Sequence, residues 1–403
     1  MSDTDKQIKN PDNKTFKAYR QSFDVRFEYP VHFTHQVFDF DNPLLESVLD
    51  RLNEQKCHRC IVFIDSNVAE THPEIIKKIE SYFQAREKKI ELACQPCIMP
   101  ADKKSGWDIV HNIVSVIKEN HLDRQSFVIA VGGGSVLDIV GFACSIVHRG
   151  LRLLRLPTTT LAQADAGIGV KNGMDTSYMK NFIGTFAPPF AVINDFDFLS
   201  TLSFEDWTAG IAEAFKVAII KDADFFDYLC TNGDALRQRD ISVMTEAIYR
   251  CAMIHLEHIR TSGDAFEFGS ARPLDFGHWA AHKIETISDY QIGHGQAVAI
   301  GIAIDSFYAM RQGLINQAQL QRITEGLIRC GLDVYNEIIS KRTAAGELTI
   351  LEGLRQFQEH LGGELTVTLP KNIGAKIEVN NIDSDIIEEA VQYLQGICKQ
   401  GSD

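Results

Sequence analysis

The sequence lacks an excess of positive charge, and it lacks any long apolar run. Its 40 lysines and arginines stand against 54 aspartates and glutamates, which gives a formal net charge of −14 at pH 7. A field of that sign repels nucleic acids and anionic lipid surfaces. The clean apolar stretch at 297–304 is far shorter than the roughly 20 residues needed to cross a bilayer. We therefore predict neither a nucleic-acid partner nor a membrane partner.

Also missing are an apolar leader and an even set of cysteines. The opening residues, MSDTDKQIKNPDNK, are polar, and nine cysteines are scattered along the 403 residues. That usage favours reduced thiols in a cytosol over a disulfide framework, so a cytoplasmic protein is expected. With 28 glycines and 11 prolines, the composition also excludes collagen-like and low-complexity chains.

What the sequence does contain, after a polar tail at 1–20, is an alternation of strand-like and helical patterns. Strands are predicted at 59–65, 90–99, 127–131, 153–156 and 191–194, with helices at 73–86, 107–119 and 134–147. This alternation is typical of a parallel sheet covered by helices. The patterns that follow are helical, over 203–228, 240–262, 275–288, 294–312, 316–330 and 383–399.

These patterns predict an α/β domain over 21–200 followed by an all-α domain over 201–403. Ser203 followed by Asp206 resembles a capping box that opens the first helix of the second domain. The boundary is therefore expected near residues 195–202.

Three glycines follow the predicted strand 127–131 and open an apolar helix. Gly132, Gly133 and Gly134 would let backbone N–H groups approach a phosphate at the positive end of that helix. Their spacing departs from the dinucleotide fingerprint G-x-G-x-x-G, so a plain tight turn is the alternative. Asp65 ends the first strand, where an acidic residue commonly holds a ribose hydroxyl, and an ordinary helix N-cap is its alternative.

Histidines and a glutamate at helical spacing give a stronger signal. His278 and His282 lie four residues apart on one helix face, and His294 follows at a glycine-flanked helix start. Glu213 and Lys216 lie three residues apart on another apolar helix. A carboxylate and two imidazoles from three helices suit a catalytic zinc ion, which keeps its fourth position open. Each histidine alone could instead satisfy core hydrogen bonds, but for the group we favour the metal.

The cysteines offer a competing metal site. Cys57 and Cys60 form one C-x-x-C pair, and Cys94 and Cys97 form another, as in zinc ribbons. Both pairs fall at or inside predicted strands, where alternation sends the two thiols of a pair to opposite faces. We therefore favour buried small hydrophobic residues over a zinc ribbon.

Cations in turn-rich stretches indicate an anion site. Arg149, Lys171 and Lys180, together with Asn181, lie in the stretches HRG, DAGIGVKNG and MKNFIGTF. Beside a glycine-rich turn they predict a phosphate site, although solvated surface lysines would give the same pattern.

The motifs GGGSVLDIVGF, HRG, LPTTTLAQADAGIGVK, KNFIGTF, AEAFK, GHWAAH and HGQAVAIG occur in this order along about residues 60–300. In order and spacing they resemble the dehydroquinate synthase superfamily of sugar phosphate cyclases. The resemblance implies a dehydroquinate synthase-like fold, with a Rossmann-like NAD-binding domain before a helical metal-binding domain. It also implies an active site in the cleft between the domains and a homodimer.

The resemblance further implies a role for each matching residue. Glu213, His278 and His294 match zinc ligands, with cobalt as a possible substitute. Lys216 matches a catalytic lysine, His282 a histidine near the substrate phosphate, Asn181 a phosphate contact and Arg149 an arginine lent across the dimer. Asp165 and Lys171 match residues that contact the substrate, and Glu267 and Asp275 stand at further active-site positions. NAD contacts are implied at Asp102, Gly134, Asp138, Thr158, Thr159, Lys171, Lys180 and Thr201, beside Asp65, Gly132 and Gly133.

In this family zinc polarises a substrate hydroxyl so that NAD takes a hydride, and the resulting ketone acidifies the neighbouring C–H. Phosphate is then eliminated, the hydride returns, the ring opens, and an intramolecular aldol reaction closes a carbocycle. The implied activity is that of a carbon-oxygen lyase that converts a seven-carbon ketose phosphate into a carbocycle.

Several positions depart from dehydroquinate synthase itself. Glu257 stands in place of a lysine ten residues before Glu267, Ala271 replaces an arginine with Arg272 one place later, and Asp275 replaces an asparagine. A glutamate in place of the lysine would repel a carboxylated substrate. We therefore hypothesise a non-carboxylated heptulose phosphate.

Other departures define a separate branch. QEHLGGELTVTL resembles the secondary-metabolic cyclases that act on sedoheptulose 7-phosphate, yet His282 stands where those enzymes usually have proline. The family's Gly-Glu pair at the adenine ribose is Ala101–Asp102 here, and Gln296 replaces the glutamate of its HGE motif. The mixture is similar to the cyclase-like proteins of Ebo-type bacterial operons.

Three alternatives to a sugar phosphate cyclase acting on a non-carboxylated substrate remain. They are dehydroquinate synthase proper, a metal-dependent polyol dehydrogenase on the related fold, and a non-catalytic scaffold. Net NADH production would identify the dehydrogenase, because a cyclase produces none. Retention of Glu213, His278, His294, Lys216 and His282 argues against the scaffold.

Overall fold

Seven strands form one parallel sheet in the first half of the chain. The computed structural model describes residues 21–100, 106–174, 182–266, 274–360 and 363–400. In chain order the strands of this half are β1 (Val31–Thr34), β2 (His58–Asp65), β3 (Ile90–Leu92), β4 (Cys97–Met99), β5 (Phe127–Gly132), β6 (Arg152–Pro157), β7 (Lys171–Met174), β8 (Ile183–Phe186) and β9 (Ala191–Asp195). Strands β7 and β8 form a separate antiparallel hairpin, and the other seven form the sheet. The sheet order is β1-β9-β6-β5-β2-β3, with β4 also beside β2, and all pairings are parallel.

Helices cover both faces of this sheet. They are α1 (Leu44–Leu49), α2 (Ser66–Thr71), α3 (Ile75–Gln84), α4 (Trp107–Glu119) and α5 (Gly134–Ile146). Alternate residues of β2 enter different cores: Val62 and Ile64 pack with α1 and α3, whereas Ile61 and Phe63 pack with α4 and α5. The strands are therefore buried on both sides, as parallel sheets require.

The second half of the chain is helical. Its helices are α6 (Phe204–Lys221), α7 (Ala223–Thr231), α8 (Gly233–Arg237), α9 (Ile241–Thr261), α10 (His278–Ile287), α11 (His294–Arg311), α12 (Gln317–Arg329), α13 (Glu352–His360) and α14 (Ser384–Gln400). Helix α11 is the centre of this half, because it packs against α6, α10, α12 and α14. Its residues 297–304 are buried on every side, which explains the apolar run in the sequence.

The fold class is confirmed, and the predicted elements differ from the structure in a few places. The strand predicted at 90–99 is two short strands, and the helix predicted at 203–228 is interrupted at Asp222, which caps α7 by accepting from the backbone N of Phe225. The Ser203 side chain caps α6 through the backbone N of Asp206 at 3.0 Å, as predicted. A small hairpin of β10 (Val367–Pro370) and β11 (Lys376–Val379) was not expected.

Some predictions lie outside the described residues. These are the polar tail at 1–20 and the site residues Asp102, Lys180, Asn181 and Glu267, with Ala271 and Arg272 beside them. Within the described ranges, none of the helices combines the length and the apolar character needed to cross a membrane.

Candidate active site

A cleft of about 2120 Å³ opens at the carboxyl ends of the strands and is lined by both halves of the chain. Asp65 ends strand β2, and Gly133 and Thr158 follow strands β5 and β6, whereas Lys216 and His278 come from helices α6 and α10. Ligand sites of parallel α/β sheets lie at this edge of the sheet. The topology therefore brings the glycine turn and the predicted metal ligands into one cavity.

The glycine turn leaves open space at the start of α5. A Cβ built on Gly133 or Gly134 meets no described atom closer than 3.4 Å, and both residues line the cleft. Their N–H groups at a helix start suit an anionic ligand. Gly132 is explained by packing instead, since a Cβ there would lie 3.0 Å from the side chains of Asp65 and Val136.

Asp65 lies where both of its predicted roles, helix N-cap and ribose contact, require it. It is the N-cap of α2 and accepts a hydrogen bond from the backbone N of Asn67 at 2.9 Å. Burial raises the pKa of Asp65, and hydrogen bonds from the backbones of Asn67 and Gly133 oppose that shift. The N-cap interpretation is confirmed, and a ribose contact stays a prediction. The same cleft is lined by the other described candidates for NAD contacts, Asp138, Thr158, Thr159, Lys171 and Thr201.

A buried arginine shapes the loop that carries Asp165 and Lys171. Arg155 on β6 is fully buried, and its Nη1 donates to the carbonyl oxygens of Gly167 at 3.2 Å and Gly169 at 2.9 Å. Its Nη2 donates to the carbonyl oxygen of Lys171 at 2.9 Å and to Oδ1 of Asn172 at 2.5 Å. This guanidinium fixes the path of the loop, so Asp165 and Lys171 both line the cleft.

Three side chains from three helices converge at the wall of the cleft, where His278 and His294 line the cavity and Glu213 is buried behind them. Oε1 of Glu213 lies 3.5 Å from Nε2 of His278 and 3.5 Å from Nε2 of His294. The three ligand atoms all lie within 4.8 Å of one another. Glu213 is fully buried, and neither of its carboxylate oxygens has hydrogen-bond geometry to any described residue. A buried carboxylate in that state is suited to a cation.

The outer nitrogens of both histidines are held by other groups. Nδ1 of His294 lies 3.0 Å from Oε2 of the buried Glu285, and Nδ1 of His278 lies 3.2 Å from the carbonyl oxygen of Phe276. Such partners fix the ring orientation and turn Nε2 toward a metal. Burial and the nearby Lys216 ammonium lower the pKa of His278, a shift toward the neutral ring that metal binding requires.

Lys216 lies between two carboxylates beside this cluster. Its Nζ is 2.5 Å from Oε2 of Glu213 and 3.6 Å from Oδ2 of Asp165. Burial alone would lower the pKa of Lys216, but these carboxylates raise it, so the side chain is an ammonium at neutral pH. Burial would raise the pKa of Glu213, and Lys216 with the two histidines holds it well below its usual range.

His282 and Asp275 line the cleft that the cluster borders. The His282 ring is exposed, lines the cleft and lies 5.6 Å from the His278 ring and 6.1 Å from the His294 ring, measured between centroids. Desolvation would raise the pKa of Asp275, but the charges of His278 and Lys171 lower it. The shared helix face that the sequence predicts for His278 and His282 is confirmed.

The backbone sets the spacing between α10 and α11. Gly277, at φ +77°, precedes α10, and a Cβ on Gly301 of α11 would fall 2.0 Å from the Gly277 carbonyl oxygen. The buried Asp305 of α11 accepts from the backbone N of Gly277 at 3.0 Å and from Nε1 of Trp279 at 2.8 Å. Both helices that begin at a predicted metal ligand are thus joined directly.

Family models match most of the chain. The model for the N-terminal part of 3-dehydroquinate synthase matches residues 96–209, and the model for its C-terminal part matches residues 210–349. A 2-epi-5-epi-valiolone synthase of Streptomyces glaucescens is 30% identical over 93% of this chain and 92% of its own length. A 2-epi-valiolone synthase of Actinosynnema mirum is 32% identical over 85% of this chain and 86% of its own length.

The chain belongs to the dehydroquinate synthase superfamily of sugar phosphate cyclases. Among solved structures of this superfamily, 2-epi-5-epi-valiolone synthase from Streptomyces hygroscopicus subsp. jinggangensis 5008, with NAD⁺ and Zn²⁺ bound, is 27% identical. That match has a TM-score of 0.81 and covers 94% of this chain and 99% of the other. A 2-deoxy-scyllo-inosose synthase shares the fold with a TM-score of 0.73 at 21% identity over 90% of this chain and 96% of its own.

Two residues matched to this superfamily lie apart from the cluster. Arg149 is exposed, is not among the described residues that line the cleft, and follows His148 in the left-handed region, at φ 63° and 51°. Glu257 is also absent from the described lining: its carboxylate pairs with Arg260 at 2.7 Å, and 54% of its side chain is exposed. The structure therefore gives no support to repulsion of a carboxylated substrate by Glu257.

The cysteine prediction is wrong in part. The Sγ atoms of Cys94 and Cys97 lie 4.0 Å apart rather than on opposite faces, because β3 ends at Leu92 and β4 begins only at Cys97. Cys57 is exposed rather than buried, and Cys60 is buried as expected. Among the described residues, the groups that could hold a metal contain no cysteine.

Sequence reasoning missed several residues that shape the site. Arg155, His255, Glu285 and Asp305 meet their partners only through the tertiary fold. One of them could have been found, since Glu285 lies seven residues after His278 on the helix α10 and so two turns along the same face.

Proposed function

We propose that this protein converts a non-carboxylated seven-carbon ketose phosphate, of which sedoheptulose 7-phosphate is the first candidate, into a carbocycle with release of inorganic phosphate. The observation that carries the proposal is the cluster of Glu213, His278 and His294, with the Lys216 ammonium against it, whose two histidines line the same cleft as the glycine turn. The superfamily relatives named valiolone synthases, similar over almost the whole chain, support this substrate class.

The residues present fit both a divalent metal and a dinucleotide. Glu213, His278 and His294 would hold zinc or cobalt, because a buried carboxylate and two oriented imidazoles leave one side open to a substrate. Gly133 and Gly134 would accept the diphosphate of NAD, with Asp65 at the end of the neighbouring strand. When bound, the two groups supply polarisation of a substrate hydroxyl and reversible hydride transfer.

The chain's own residues bind and orient the sugar phosphate. The Lys216 ammonium would donate a hydrogen bond to a substrate oxygen near the cluster, while Asp165 holds the ammonium from the other side. Lys171 and the exposed His282 line the cleft and would bind the phosphate; a protonated His282 would stabilise it as it leaves. Arg155 keeps Asp165 and Lys171 in one loop conformation during these steps.

We also propose the organisation in which this site works. It comprises an NAD-binding domain over 21–200, a helical metal- and substrate-binding domain over 201–403, and a cytoplasmic homodimer. The exposed Arg149, whose side chain does not line its own chain's cleft, is the residue expected to reach the partner's cleft. Asp102, Lys180, Asn181 and Glu267 keep the roles that the superfamily motifs imply for them.

A second candidate is 3-dehydroquinate synthase proper. It is favoured by the position of Glu257, which pairs with Arg260 instead of facing the cleft, so the charge that would exclude an acid substrate is directed elsewhere. A 3-dehydroquinate synthase of Vibrio atlanticus is also 33% identical over 76% of this chain and 83% of its own length.

In the test, the purified protein is incubated with NAD and zinc or cobalt. Sedoheptulose 7-phosphate and the seven-carbon acid phosphate are supplied as substrates in separate reactions. Phosphate release and NADH absorbance are followed together, with Lys216→Met as the inactive control. Phosphate from the first substrate without net NADH is the expected result. Phosphate from the acid alone would establish the second candidate, and net NADH would establish a polyol dehydrogenase. No release from either substrate by the metal-loaded protein would contradict both cyclase assignments and favour a scaffold.

A further inference from the structure

Cys94 and Cys97, the 94–97 pair, are two thiols that lie side by side at the edge of the sheet. Their Sγ atoms are 4.0 Å apart, and both residues are partly exposed. Both pack against the rim of the core that α4 and α5 share with the sheet, because β4 resumes the sheet at Cys97, opposite Phe63 of β2. The fold thus brings the two sulfurs to the same side of the sheet.

The second C-x-x-C pair, Cys57 and Cys60, shows that the motif alone does not produce this arrangement. The exposed Cys57 donates from Sγ to the carbonyl oxygen of Glu87 at 3.5 Å. The buried Cys60 lies inside β2 and donates to the carbonyl oxygen of His58 at 3.6 Å. The thiols of this 57–60 pair therefore have separate partners, whereas those of the 94–97 pair have each other.

The turn between Cys94 and Cys97 keeps the two sulfurs close. Gln95 and Pro96 form it, and the ring of a proline fixes its own backbone φ. The Cys97 thiol donates to the carbonyl oxygen of Gln95 at 3.5 Å, which holds its sulfur on the inner side of the turn. Because the sulfurs of a disulfide are about 2.05 Å apart, closure requires them to approach by about 2 Å, which side-chain rotation can supply.

We propose that Cys94 and Cys97 are a redox-responsive pair that closes to an intramolecular disulfide by exchange with a low-molecular-weight disulfide such as oxidised glutathione. The Cys94 thiolate attacks one sulfur of the oxidant, forms a mixed disulfide and releases one small thiol. Cys97 then loses its proton to solvent, attacks the Cys94 sulfur and releases the second small thiol. Two protein thiols are oxidised, and one small disulfide is reduced to two thiols.

The order of the two steps follows from the surroundings of Cys97. Burial and the neighbouring Cys94 thiol raise the pKa of Cys97 to about 12, so Cys97 is protonated until the mixed disulfide lies beside it. In the cytoplasm that we propose for this protein, such disulfides are transient and redox-sensing rather than structural. The inference goes beyond the proposed function and does not depend on it, since thiol exchange requires neither substrate nor NAD.

The test equilibrates the full-length protein in glutathione buffers of increasing oxidised fraction and then blocks the free thiols with N-ethylmaleimide. Peptide mass spectrometry measures the oxidised fraction of each cysteine, and near-ultraviolet circular dichroism of each sample shows that the chain is folded during the reaction. The matched control is the 57–60 pair, which has the same motif and is measured in the same molecules. Cys97→Ser and Cys57→Ser are treated in parallel.

We expect the 94–97 pair to be oxidised at least about 10-fold more than the 57–60 pair, and dithiothreitol to restore both of its thiols. In Cys97→Ser a mixed disulfide with glutathione should accumulate on Cys94, because the thiol that resolves it is missing. Cys57→Ser should leave the 94–97 disulfide unchanged. A 94–97 pair that stays as reduced as the 57–60 pair, or a Cys94 that pairs with a cysteine other than Cys97, would overturn the inference.

Discussion

The surroundings of Glu213 restrict the roles that its carboxylate can have. Its carboxylate is fully buried, lies 2.5 Å from the Lys216 ammonium and 3.5 Å from each histidine, and meets hydrogen-bond geometry with none of the described residues. A buried charge in this state is costly unless paired cations compensate it. A divalent ion bound by Glu213 and the histidines would complete that compensation.

Glu213→Gln keeps the shape of the side chain and removes its charge. We expect bound zinc to fall by at least about 10-fold in affinity and phosphate release to be lost with it. Metal content by plasma mass spectrometry after dialysis measures the effect, with the exposed Glu246→Gln of α9 as the control. Full zinc content in Glu213→Gln would exclude this carboxylate as a ligand.

At the scale of elements, α10 and α11 act as one unit through Asp305. Each helix begins at a predicted metal ligand, and the Asp305 carboxylate accepts from the backbone N of Gly277 and from Nε1 of Trp279 on the α10 side. Burial raises the pKa of Asp305 to about 7, and these two donors oppose the shift. The position of His278 relative to His294 therefore depends on a residue that touches neither.

Asp305→Leu would leave both of these donors buried without an acceptor. At roughly 1–3 kcal/mol for each unpaired group, we expect the free energy of unfolding to fall by about 2–6 kcal/mol and zinc affinity to fall with it. Asp305→Asn, which retains one acceptor oxygen, should lose less. Thermal denaturation with and without zinc measures both, and a stable variant with unchanged zinc affinity would refute the coupling.

The sequence predicts these elements better than it predicts their contacts. Spacing of four residues places His278 and His282 together, and the amphipathic pattern locates α4 at 107–119 with both ends correct. Pairs such as Glu285 with His294 follow from how helices pack, which no local pattern encodes. The prediction of one strand at 90–99 is wrong because the β pattern of the sequence continues through the break at Cys94. Only the register of the sheet shows that β3 and β4 are separate strands.

At the scale of the whole molecule, Arg149 is a predicted site residue that does not line the cleft of its own chain. It is exposed, and it follows His148 in a run of two left-handed non-glycine residues that ends at Gly150, at φ 121°. Consecutive left-handed non-glycine residues are strained, and such strain is concentrated at functional sites. In the proposed homodimer this arginine would complete the neighbouring site.

Mixing two inactive variants tests that arrangement. In a mixed dimer of Arg149→Ala and Lys216→Ala, one cleft keeps its own Lys216 and receives Arg149 from the other chain. Random exchange of subunits should restore roughly a quarter of wild-type phosphate release. Each variant refolded alone is the control, and no recovery after proven subunit exchange would place Arg149 in its own chain's site.

Stability toward acid should depend on Glu54 and Arg152, which join the loop before β2 to the start of β6. Nη2 of Arg152 donates to Oε1 of Glu54 at 2.9 Å, and this pairing lowers the pKa of Glu54 to about 2. A carboxyl whose pKa is lower in the folded chain stabilises it above the unfolded value, ordinarily 4.5, and that contribution is lost as pH falls through about 2.

Glu54→Gln should therefore destabilise the protein by about 1–3 kcal/mol at pH 7, with the difference from wild type shrinking as pH falls below about 4. Thermal unfolding from pH 3 to pH 8 measures it. Glu91→Gln is the control, because Glu91 pairs with Arg59 on the same sheet but more than half exposed, at 51%. A difference between Glu54→Gln and wild type that is constant across this range would contradict the pKa argument.

The contact between Gly301 and the Gly277 carbonyl sets the distance between the two helices that carry His278 and His294. That distance is fixed by backbone against backbone, so the two helices cannot move apart or together without a shift of the main chain. A rigid aperture of this kind discriminates by ionic radius as well as by affinity. The protein should bind zinc and cobalt, which are nearly equal in size, with the same coordination geometry. It should bind the larger cadmium ion only with a distorted coordination sphere.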